Sequence, residues 1–210
     1  MTDNSESLYK TAFRLSLFTI FYNVAEGLVS VIFGYKDDSL TLFGFGVDSF
    51  IEVISGLGIA HMLLRIRQDP ASNRDDFEKT ALKVTGVSFY ALVVGLLAAS
   101  VHNLVTGQKP ETTLIGVIVA VVSIVIMLVL IRAKRKVGKS LNSAAILADA
   151  ECTRVCVYMS MVLLVASAVY EVTKVAYIDV MGSAALAYFS FKEGRECFEK
   201  AKNNTFCVCE

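Results

Sequence analysis

The chain has 210 residues, 55% of them apolar, and a formal net charge of zero. That balance offers no basic surface to nucleic acid, and the strongly positive mean hydropathy is high for a soluble domain. Two prolines and no tryptophan leave few breaks in the apolar runs.

Residues 1–9, within MTDNSESLYK, are polar and acidic. A secretory leader opens on a basic stretch and continues into an apolar one, so residues 1–9 are expected to be a cytoplasmic tail of the mature protein. Six helical stretches follow within residues 10–200: 11–34, 40–65, 80–104, 111–132, 141–171 and 176–200. Each has about 20–30 residues, enough to cross a hydrocarbon core of about 30 Å with some tilt. The predicted fold is an all-α membrane protein, a bundle of six transmembrane helices. The rival is a soluble all-helical protein with a buried fourth helix.

In the first stretch, FYNVAEGLVS places Asn23 and Glu26 at i, i+3. They can support a ligand from behind or carry a proton, or merely hydrogen-bond to a neighbouring helix beside Gly27. The second stretch contains VDSFIEV, with Asp48 and Glu52 at i, i+4. A charge at mid-membrane costs about 2.5–3.5 kcal/mol on insertion scales. Two on one helix face can reach one shared object: a cation, a proton or a basic side chain. Gly44, Gly46, Gly56 and Gly58 allow close helix approach. His61 and His102 lie near helix ends and are not expected to be ligands.

In the fourth stretch, residues 112–131 (TTLIGVIVAVVSIVIMLVLI) carry no charge. Their β-branched content suits a strand, but strands rarely exceed about ten residues. The run RAKRKVGK after it is expected to be a loop holding Arg132, Lys134, Arg135, Lys136 and Lys139. The connection after the second stretch holds Arg65, Arg67, Arg74 and Lys79, whereas the opposite connections hold Lys36, Lys109 and Lys174. The positive-inside rule puts the basic connections and both termini in the cytoplasm. The protein is then multi-pass in the cell (inner) membrane, with lipid as one partner.

The fifth stretch contains ADAECTRVC, with Asp149, Cys152 and Cys156 at i, i+3 and i+7 on one face. Asp48 and Glu52 should lie roughly 12–18 Å below one end of the second helix, and Cys152 and Cys156 roughly 17–23 Å above the opposite end of the fifth. In a core of about 30 Å the two pairs meet near the middle. Cys156 would face Asp48, and Cys152 would face Glu52. Two carboxylates and two thiolates suit tetrahedral Zn²⁺ or a softer ion such as Cd²⁺. A membrane cysteine taken alone is an apolar filler. The alternative partner of the acids is Arg154, although Glu151 lies nearer to it at i, i+3. In the sixth stretch Asp179 is expected to meet solvent. Residues 201–210 form a short cytoplasmic tail whose Cys207-x-Cys209 pair can capture a soft metal ion, or simply fray.

These residues resemble the transmembrane domain of the cation diffusion facilitator family of metal–proton antiporters. VDSFIE looks like the family's Asp-x-x-x-Asp pair on helix two, with Glu52 in the second acidic place. ADAECTRVC looks like its His-x-x-x-Asp pair on helix five, with Cys152 and Cys156 in the histidine and aspartate places. The resemblance covers about residues 10–200 and implies a minimal branch without the family's C-terminal cytoplasmic domain. It implies a homodimer that is not an enzyme and needs no bound cofactor. The metal ion is cargo, exchanged for protons by alternating access, and the expected direction is efflux. Thiolates favour Zn²⁺, Cd²⁺ or Cu⁺ over harder ions, and a cysteine that binds metal as thiolate releases a proton. Asp149, Glu26 and Asn23 are placed beside the ligands or on a proton path. The alternatives are a non-transporting membrane scaffold, or a thiol redox protein using Cys152 and Cys156, whose i, i+4 spacing aims the thiols poorly for a disulfide.

Overall fold

The computed structural model describes residues 3–36, 40–68, 74–106, 114–173 and 177–203. Six helices fill them: α1 (Asp3–Lys36), α2 (Leu40–Gln68), α3 (Arg74–Thr106), α4 (Leu114–Leu141), α5 (Ala144–Thr173) and α6 (Tyr177–Asn203). No strand occurs among the described residues. Pro70 and Pro110 lie outside the described residues. Cys207, Cys209 and the other residues of 204–210 lie outside the described residues, as do Lys109 and Lys174; the side chain of Asp179 is likewise not described.

Among the described residues, Glu6–Lys36, Leu42–Gln68, Asp75–His102 and Gly116–Leu141 are long and apolar enough to cross a membrane. The protein is a helical membrane bundle turned inside out relative to a soluble one. Phe21, Leu28 and Ile32 of α1 and Ile118, Val121, Val125 and Val129 of α4 point outward and are exposed. The inward face of α1 is polar: Ser16, Thr19, Asn23, Glu26 and Ser30 recur at helical spacing, and all are buried. Lipid needs no polar cover, so apolar faces turn out, and polar groups find their partners between helices.

The helices pair as α1 with α2, α3 with α6 and α4 with α5. The pairs are joined by α2 against α3, α5 against α6 and α1 against α4, and α2 also meets α5. Close approach in the α1–α2 pair depends on Gly46, whose missing Cβ would sit 2.9 Å from the Gly27 carbonyl oxygen. This seats the α2 segment that carries Asp48.

The loop expected after residue 131 is helical instead. RAKRKVGK is not a loop: α4 runs through it to Leu141. The buried stripe of Met127, Ile131, Lys134, Val137 and Leu141 continues past Arg132 without a phase break, and nothing before Asn142 stops the helix. The turn is compact. Asn142 adopts φ 50°, the left-handed conformation that asparagine tolerates. Ser143 N–H donates to the Gly138 carbonyl (3.0 Å) and Asn142 N–H to that of Lys139 (3.1 Å), a Schellman closure. The Ser143 hydroxyl then caps α5 by accepting from Ile146 N–H (3.3 Å). Buried Glu78 of α3 accepts from both the Ser143 hydroxyl (2.7 Å) and Ala145 N–H (3.2 Å). Together these contacts set the start, and hence the depth, of α5.

Candidate functional site

The inner faces of α2 and α5 hold a buried polar layer. From α2 come Asp48, Ser49, Glu52 and Ser55, and from α5 come Asp149, Cys152, Thr153 and Cys156, all buried. The Cys156 thiol lies within interaction range of both the Asp48 and the Glu52 carboxyl. Cys152 is close enough to feel the charges of Glu52, Asp149 and Asp48. Cys152 packs into the main apolar core, whereas Cys156 joins a smaller cluster with Met127, Ile131 and Val157. Asp48 Oδ1 and Glu52 Oε2 have no hydrogen-bond partner.

The two α1 residues differ. Glu26 is fully engaged: Tyr22 O–H donates to Oε1 (2.8 Å) and Ser49 O–H to Oε2 (3.0 Å). It is thereby tied to the residue next to Asp48. Asn23 is 1% exposed, yet both atoms of its amide are unpartnered.

The largest departure from expectation is Lys134. Read as one of the loop cations, it is instead 2% exposed. Its Nζ lies 2.8 Å from Asp149 Oδ2 and 4.0 Å from Glu52 Oε1, and it donates to Thr153 Oγ1 at 2.9 Å. The Thr153 hydroxyl donates in turn to Glu52 Oε1. Ser55 O–H donates to Asp149 Oδ1 at 2.8 Å. Asp149 is thus a partner of Lys134 and Ser55. The periodicity of α4, carried three residues past Ile131, was the signal that could have found Lys134. For Thr153, an ordinary helical threonine, the sequence held none. Arg154 stays away from the α2 acids. It pairs with Glu151, which also receives Arg135 at 2.6 Å, and it lies over the rings of Tyr158 and Phe189.

Among the described residues no three His, Cys, Asp or Glu side chains are gathered closely enough to hold a metal ion. The layer brings carboxyls and thiols together without closing them on one point, and the ammonium of Lys134 sits among them. A cavity of about 620 Å³ between α4, α5 and α6 lies toward the end of the bundle that bears the α4–α5 turn. It is lined by Arg132, Arg135, Lys136, Lys139, Arg154 and Lys200 against Glu151, Glu193 and Glu196. With six cations to three carboxylates, it is poorly suited to hold a cation. The central layer has the opposite balance, with Glu26, Asp48, Glu52 and Asp149 buried beside Lys134.

The chain also has relatives. A family model described as the cation efflux transmembrane domain matches residues 16–203. An uncharacterized transporter of Methanocaldococcus jannaschii is 29% identical over 154 residues, which cover 71% of this chain and 54% of that protein. The chain therefore spans about half the length of that relative.

Proposed function

The chain belongs to the cation efflux transmembrane family, and from that premise we propose that it carries a divalent transition-metal ion across the membrane in exchange for protons. Asp48, Glu52, Cys152 and Cys156 are the ligands. One observation carries this reading: two carboxyls buried in the same layer as two thiols, with Asp48 Oδ1 and Glu52 Oε2 left without partners. A buried carboxylate oxygen left without a hydrogen bond is costly, and the layer holds more acids than bases, so it calls for a cation or for protons.

The same residues can serve both in turn. A thiol must lose its proton to bind a metal ion, so loading releases protons and unloading takes them back. Two sulfurs in the set select Zn²⁺ or Cd²⁺ over Mg²⁺ or Mn²⁺. Because the layer is buried, the ion reaches it by alternate opening of the bundle toward each side. Loading draws the four side chains around one ion. Asn23 and Glu26 back the ligands from α1, with Ser49 linking Glu26 to α2. The basic end of the bundle and both termini face the cytoplasm of the cell (inner) membrane. Two copies associate through lipid-facing surfaces, and Cys207 and Cys209 capture ions on the cytoplasmic side. Export is the direction, and the activity is transport rather than catalysis.

The test is reconstitution of the full chain into liposomes with an imposed pH gradient, following Zn²⁺ and Cd²⁺ flux. Wild type is expected to move both ions in proportion to the gradient, and Cys152→Ser with Cys156→Ser is expected to lower the rate at least about ten-fold. Transport by the double variant at the wild-type rate would sink the ligand assignment.

A further inference from the structure

The proposed ligand set makes no use of Lys134, although that residue lies in the same layer. Its ammonium is held on three sides: Asp149 at 2.8 Å, Thr153 at 2.9 Å and Glu52 at 4.0 Å. Asp149 in turn is held by Ser55, and Glu52 by Thr153. The charged and titratable groups around Lys134 are Asp149 and Cys152 on α5 and Glu52 on α2. Asp48 and Glu26 lie beyond Glu52 and feel its charge. The ammonium thus sits between an acid outside the ligand set, Asp149, and an acid inside it, Glu52.

We propose that Lys134 is a tethered counter-cation of the transport site, which shares Glu52 with the transported ion and so limits how tightly that ion is held. This rests on the Asp48, Glu52, Cys152 and Cys156 reading of the site. With no metal ion present, the ammonium offsets the charge of Glu52, assisted by Thr153. When a divalent ion arrives at Glu52, like charges only a few ångströms apart repel strongly in a medium of low dielectric. The four-carbon lysine stem lets the ammonium withdraw onto Asp149. Asp149 is therefore where the displaced charge rests. An ion bound against such a competitor is released more readily, as a carrier requires.

The test is Zn²⁺ titration calorimetry on the full chain in nanodiscs, repeated with Cd²⁺, on variants whose folding is checked by thermal unfolding. Asp149→Asn leaves the ammonium with Glu52 as its remaining close carboxylate and is expected to weaken Zn²⁺ binding about ten-fold. Lys134→Met combined with Asp149→Asn removes the competitor without stranding a charge at position 149, leaves Glu52 to the ion alone, and is expected to tighten binding about ten-fold. Lys134→Arg, which keeps the charge, should stay near wild type. A purely structural pair would shift both variants the same way. If the two variants move together, or neither moves, while Cys152→Ser with Cys156→Ser abolishes binding, the ligand assignment stands and the counter-cation role is overturned. If the cysteine variant binds as wild type does, the ligand assignment falls, and the role of Lys134 falls with it.

Discussion

Thr153 has a single hydroxyl, and it serves two buried charges, accepting from Lys134 and donating to Glu52. Thr153→Val keeps the shape and removes both bonds. A buried polar group left unpaired costs about 1–3 kcal/mol, so the variant is expected to lose about that much stability in denaturant unfolding from micelles. Thr153→Ser should recover most of it. An unchanged midpoint in the valine variant would mean that Lys134 and Glu52 do not depend on the hydroxyl. At this scale legibility was uneven. Asp48 and Glu52 stood out because a carboxyl in an apolar run has few innocent explanations. Thr153 looked like any helical threonine, and only its neighbours from two other helices give it a role.

The elements are joined by close approaches and by caps. Gly46 lies where α1 and α2 touch, and an added Cβ would meet the Gly27 carbonyl oxygen at 2.9 Å and the Val31 backbone nitrogen at 2.8 Å. Gly44, two residues earlier, faces open space. Gly46→Ala is therefore expected to force α1 away from α2, lowering stability by about 1–3 kcal/mol through overpacking and displacing Asp48, two residues on. Gly44→Ala should be neutral or slightly stabilising, since alanine favours a helix. Thermal unfolding of the two variants side by side checks the contrast, and equal melting temperatures would contradict the packing. Six helices could be placed from apolar length. The end of α4 could not, because a basic run resembles a loop when read for composition and resembles a helix when read for spacing. Four of its cations, Arg132, Arg135, Lys136 and Lys139, are exposed while Lys134, in the same run, turns inward.

Across the whole molecule, charge is sorted by position. Glu78 at the start of α3 meets Ser143 at the start of α5, and the cavity gathers the last turns of α4 with the C-terminal half of α6, so these termini share one end. That end carries Arg132, Arg135, Lys136, Lys139, Lys192, Arg195, Lys200 and Lys202. Between the ends lies an apolar outer surface with the acidic layer inside. The positive-inside rule predicts that the basic end faces the cytoplasm. A single cysteine at exposed Ser140, introduced with the native cysteines replaced, is expected to react with a membrane-impermeant maleimide in inside-out vesicles and not in right-side-out ones. The reverse pattern would invert the orientation.

From residue order alone came the helices, the membrane class and two pairs that the structure buries in one layer, Asp48 with Glu52 and Cys152 with Cys156. Apolar length and one-turn spacing are properties of a single segment, and a sequence displays them directly. What the tertiary structure decided was which charges share a layer. Lys134 and Asp149 lie 15 positions apart on different helices, and their pairing depends on the tight turn at Asn142 and the cap on α5. Glu52 reaches Lys134, at 4.0 Å and through Thr153, because α2 packs against α5. In lipid a buried charge must be met by a neighbour, and only the packed bundle shows which neighbour meets it.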